Sequence, residues 1–204
     1  RALIQAGQAS EATKILETYL ENEPRKEERM ALRLMAQAHL ELGSWDEVAE
    51  YSNRLLKLRN LDAESKLNGS LLLGQALFRQ EKWDDCLGPL RFVAKNSKDE
   101  ASLKVARIMM ASALVETQRW GELFTLVRSM YRTDTKYDIV LNITLMNAGK
   151  GLFEGAEEKG LEEGRDDFLN ALFLYRMVLP REELIAFSNR QIDALTSQLA
   201  KKKK

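Results

Sequence analysis

Apolar side chains recur at three- and four-residue spacing along most of this chain, in blocks separated by short polar stretches. From Met30 to Leu42 the positions Leu32, Met35, Ala36, His39, Leu40 and Leu42 keep helical spacing, and the block closes at Gly43, a residue suited to a helix end. The next block opens at Trp45 and runs to about Leu58, with Val48, Ala49, Leu55 and Leu56 on one side and Glu47, Glu50, Arg54 and Lys57 on the other. Only Gly43 and Ser44 separate the two, so the predicted helices must fold back antiparallel. Leu71, Leu73, Gly74, Leu77 and Phe78 predict another first helix, with Trp83 to Ala94 as its partner. Ser97 followed by Glu100 reads as a capping box opening a third first helix, which is expected to run to about Gln118.

These blocks are copies of one another. Trp45, Trp83 and Trp120 are 38 and 37 residues apart. At the same offsets after each stand Val48, Ser52 and Leu55, then Cys86, Leu90 and Val93, then Leu123, Val127 and Met130. Ala9 begins a fourth copy, followed by Ala12, Leu16 and Tyr19. Ala36, Gly74 and Ala111 put a small residue at one fixed place in every first helix, each after a large one, Met35, Leu73 or Met110. Small residues there let the facing helix approach closely. A period in the high thirties predicts an all-α solenoid of stacked antiparallel hairpins.

The expected units are 9–28, 29–66, 67–100, 101–134 and 135–180. Ala9 to Tyr19 match only a second helix, ended before Pro24, and Arg1 to Ala6 only the tail of a first one, so the chain is expected to be part of a longer protein. Beyond Arg132 the period loosens. Asp138 to Phe153 predicts a first helix and Asp167 to Val178 a second, stopped by Pro180. Between them, residues 154–165 hold Gly155, Gly160 and Gly164 among glutamates and predict an exposed acidic insertion. Residues 181–200, with Leu184, Ser188, Ile192, Leu195 and Leu199 in one stripe, predict a capping helix, and Lys201 to Lys204 form a solvated basic tail.

Composition narrows the function more than the fold. Hydrophobic residues make up 45% of the chain, and 31 basic residues balance 31 acidic ones. With no basic face, nucleic acid is not the expected partner. No apolar run is long enough for a membrane span, and the compartment stays open between cytoplasm and bacterial periplasm. The single cysteine, Cys86, shares its register with Ala12, Val48 and Leu123 and is expected in the core. With one histidine, His39, in the register of Leu77 and Leu114, neither a histidine-based triad nor paired histidine ligands can be assembled. Asp84-Asp85 and Asp166-Asp167 fall at second-helix starts, where negative charge favours the helix dipole. No enzyme, cofactor or metal is expected.

The segments Leu73-Gly74, Leu77, Lys82-Trp83-Asp84, Cys86 and Leu90, with Gly43-Ser44-Trp45-Asp46-Glu47-Val48, resemble the tetratricopeptide repeat. The likeness covers residues 9 to about 180. It departs in its longer period and in Ser70 and Arg107, which stand where an aromatic or large apolar residue is usual. A narrower likeness is to bacterial envelope-associated members of that family. The resemblance implies a right-handed α-solenoid whose first helices line a concave groove for a protein or peptide partner. Carried over to this chain, the groove residues are Arg33, Gln37 and Glu41; Asn68, Leu71, Gln75, Phe78 and Arg79; Ile108, Ser112, Val115 and Glu116; and Lys150. Leu71 and Ile108 at the equivalents of Arg33 argue against a chaperone-tail carboxylate clamp. Leu71, Phe78, Ile108 and Val115 make the groove apolar, which favours a hydrophobic or amphipathic segment, from a partner or from the chain's own C-terminal helix. The alternatives are an oligomerisation or spacer module of a larger, envelope-type assembly, with a second copy of the chain as partner, and, behind it, a regulatory domain of an enzyme.

Overall fold

A computed structural model describes residues 2–22, 27–131 and 139–177, together with residue 189. Among the described residues every regular element is helical. They divide into two compact units, residues 1–117 and 118–204. The first holds α1 (Ala2–Gln5), α2 (Ala9–Asn22), α3 (Glu28–Leu42), α4 (Trp45–Leu56), α5 (Ala63–Arg79), α6 (Trp83–Asn96) and α7 (Glu100–Glu116). The second holds α8 (Trp120–Tyr131), α9 (Ile139–Glu163) and α10 (Arg165–Met177).

Within the first unit each helix packs on the next, and the first helices of successive hairpins, α1, α3, α5 and α7, also lie side by side. The turns explain the regularity. Gly7, Gly43, Glu81 and Gln118 all adopt left-handed backbone, with φ of 76°, 70°, 58° and 54°. Each lies two residues before Ala9, Trp45, Trp83 or Trp120. In the first three turns the amide after the left-handed residue donates to a carbonyl five residues back: Gln8 to Leu3 at 2.8 Å, Ser44 to His39 at 3.0 Å and Lys82 to Leu77 at 2.9 Å. This is the Schellman closure, which satisfies carbonyls left over at a helix end and reverses the chain. A left-handed conformation is natural for glycine but costs other residues about 1–2 kcal/mol, a strain that Glu81 and Gln118 carry.

The core follows the sequence register. Met35, Ala36, Val48, Leu55, Cys86, Leu90, Ala111 and Leu114 are buried, and fully burying a leucine contributes about 1.5–3 kcal/mol. Trp45 and Tyr51 pack against the cluster of Ala36, Val48, Leu72 and Ala76, which joins α3, α4 and α5. Gly74 is the tightest point, because a Cβ built there would stand 2.6 Å from Leu90 Cδ2 and 2.7 Å from its Cγ. No methyl group fits without moving Leu90. Pro89 lies inside α6, where it lacks the N–H that would reach the Asp85 carbonyl.

The helix starts correct one expectation. Ser97 is the C-terminal cap of α6, and the N-cap of α7 is Asp99, whose carboxylate accepts from the Ser102 amide at 2.8 Å. Ser97 Oγ instead accepts from the Asp99 amide at 3.1 Å, so no Ser97/Glu100 capping box forms. Asp62 does the same for α5, accepting from the Ser65 amide at 2.8 Å and from the Ser65 hydroxyl at 2.9 Å. Ser65 and Ser102 each follow their aspartate by three residues, so the helix start is itself part of the repeat. Arg29, on α3, also donates to Asp62, at 2.5 Å, and ties consecutive first helices at their beginnings.

In the second unit residues 154–163 of α9 are helical on both sides of a break at Gly160. Glutamates are good helix formers, and Gly155 keeps helical geometry. The acidic side chains of Glu154, Glu158 and Glu163 are exposed along it, as expected. Only Gly160 leaves the helical region, at φ 81° and ψ 178°, a conformation essentially restricted to glycine. Gly164 makes the turn into α10: a Cβ there would lie 2.5 Å from the Ala156 carbonyl oxygen. Lys159 spans the bend to Asp167 at 2.7 Å, and Phe124 meets Phe173 edge to face at 4.7 Å between centroids. Asp166 and Asp167 occupy the first turn of α10, as Asp84 and Asp85 do in α6. The expected terminators Pro24 and Pro180, the capping helix 181–200 apart from residue 189, and the lysine tail lie outside the described residues.

Candidate functional site

Because α3, α5 and α7 lie side by side, residues one repeat apart form rows across them. One row is Arg33, Leu71 and Ile108; the next is Gln37, Gln75 and Ser112; a third is Leu40, Phe78 and Val115; a fourth is Glu41, Arg79 and Glu116. The first three rows are half-buried throughout, and the fourth is exposed. Asn68, one turn before Leu71 on α5, is also half-buried. The expected groove residues of unit one therefore share the first-helix layer. Leu40 was missed from the set, although its 38-residue spacing to Phe78 marks it.

Their engagements differ. Arg33 has a side chain 19% exposed; it donates to the Met30 sulfur at 3.1 Å and stands 4.0 Å from the exposed Glu64 carboxylate. Its Nε is buried with no partner among the described residues. Gln37, Gln75 and Asn68 have no side-chain hydrogen bond among the described residues. Phe78 meets Trp83 edge to face at 5.1 Å, and the Arg79 guanidinium lies 5.7 Å from the centroid of Trp45. Those two residues are partly committed to holding hairpins together. The neighbouring Gln80 adds a hydrogen bond to Asp46 at 3.0 Å. Lys150 belongs to the second unit, on α9, where it pairs with Glu154 at 3.6 Å.

Two open cavities lie at repeat-related hairpin junctions. One, of about 520 Å³, is lined by Arg29, Met30, Leu58 and Arg59 among others; the second, of about 290 Å³, by Glu64, Asn68, Val93 and Asp99. Of the residues lining these two cavities, Asn68 also belongs to the expected groove. Both cavities carry charges of both signs and no converging set of one sign.

The groups with chemical potential are shielded or engaged locally. Cys86 is buried, its thiol donates to the Trp83 carbonyl at 3.1 Å, and burial pushes its pKa up to about 11. A thiol so placed is a poor nucleophile at neutral pH. His39 stacks on Tyr51, with centroids 5.5 Å apart, and both ring nitrogens are shielded with no hydrogen-bond partner among the described residues. Burial, then the charge of Glu17 on α2, raises the Tyr51 hydroxyl above its ordinary pKa. Asp62 and Asp99 titrate below the usual carboxylate range because their caps favour the charged form, chiefly through the Ser65 amide and the Ser102 side chain respectively. Among the described residues no group of three or more His, Cys, Asp or Glu is placed to hold a metal ion, and no helix is long and apolar enough to cross a membrane. No protein-family model matches the chain, and no curated protein matches it.

Proposed function

We propose that the chain is a member of the tetratricopeptide-repeat class that winds as a right-handed solenoid. In this reading it is a non-catalytic interaction scaffold, and the α3–α5–α7 face receives a hydrophobic or amphipathic segment of a partner protein. The observation carrying this reading is the row structure of that face. Leu71 and Ile108 stand half-exposed at equivalent places, beside the amides of Gln37 and Gln75, which have no partner among the described residues. Apolar side chains next to solvent-accessible amides suit a segment that buries side chains and offers backbone groups for hydrogen bonding. Arg33 adds a guanidinium at one end of the face, able to take a carboxylate.

The test is retention of a partner by the chain and by a variant carrying Leu71→Asp and Ile108→Glu, with circular dichroism to show both remain helical. Phe78 is left intact because it also packs on Trp83. The proposal expects the variant to lose the partner while keeping its helicity. Equal retention by both contradicts it and moves binding to another surface.

A further inference from the structure

We draw no further inference here: the strongest candidate, the half-buried Arg33 guanidinium on the α3 side of the first-helix face, whose Nε has no partner among the described residues, belongs to the site already described.

Discussion

The α3–α4 and α5–α6 hairpins have the same backbone plan and fill it differently. In α5–α6, Gly74 faces the large Leu90; in α3–α4, the equivalent positions hold Ala36 and Ser52. Where the first helix carries a methyl group, the second-helix residue is smaller. Leu77 in α5 corresponds to His39 in α3, whose nitrogens are shielded and unpaired among the described residues, and Ser52 likewise buries a hydroxyl without a partner there. The left-handed turn residue is glycine in one hairpin and Glu81 in the other. The register fixes the path of the chain, and the contents of each position are exchanged in compensating sets. Each hairpin also carries its own local cost: polar groups in the core of one, backbone strain in the turn of the other.

The packing pair gives the largest expected effect. Leu90→Ser alone is expected to cost about 2–5 kcal/mol in chemical denaturation, because Gly74 offers nothing to fill the space. Adding Gly74→Ala should recover part of that loss, with a coupling energy of at least about 0.5 kcal/mol in the double-mutant cycle. Strict additivity would break the claim that the two positions compensate.

His39→Leu, which gives α3 the residue type of its equivalents, is expected to stabilise by about 1 kcal/mol by removing polar atoms buried without partners. A loss of stability in the same assay would mean that the stack on Tyr51 outweighs the unpaired nitrogens. A reciprocal pair sharpens the turn comparison: Glu81→Gly should raise stability and Gly43→Ala lower it, each by about 1 kcal/mol, since both positions are left-handed. The same sign for both variants would show that the two turns are not equivalent.

The smallest effect separates two readings of one helix start. Asp99→Ala should lower the thermal midpoint, and Ser97→Ala should lower it less, because the α7 N-cap bond comes from Asp99. Asp62 and Asp99 are both depressed in the folded chain. Their contribution is therefore complete above the unfolded carboxylate pKa of about 3.9 and is lost as pH falls through the lower folded values. The midpoint difference between Asp99→Ala and the parent chain should shrink in that acid range. A difference unchanged down to full protonation would remove the cap as its cause.

Much of this was legible because helices in a repeat array report their environment locally. The tryptophan spacing, the small residues at 36, 74 and 111, the core role of Cys86 and the hairpin turns need only a 3.6-residue period and one register. The α7 start was misread because Ser97/Glu100 and Asp99/Ser102 both have capping spacing, and only the backbone path decides between them. The parallel Asp62/Ser65 pair held the signal. The helical geometry of residues 154–163 was not legible, because the glycine pattern does not show that only Gly160 leaves the helical region and that Gly164 is demanded by close packing. The expected site was legible as rows across the first helices. Which members were already occupied was not: the partnership of Arg79 with Trp45 and of Phe78 with Trp83 depends on side-chain directions that spacing does not give.

The most direct test of the binding face is site-specific photo-crosslinking. A benzophenone amino acid would be placed at Leu71 or Ile108 on the first helices, and at Asn53 or Arg91 on α4 and α6, with folded helicity checked for each. The account predicts one partner band, mapped to an apolar or amphipathic segment, from the first-helix positions and none from the second-helix ones. The same partner captured from Asn53 or Arg91, and not from Leu71 or Ile108, would contradict it.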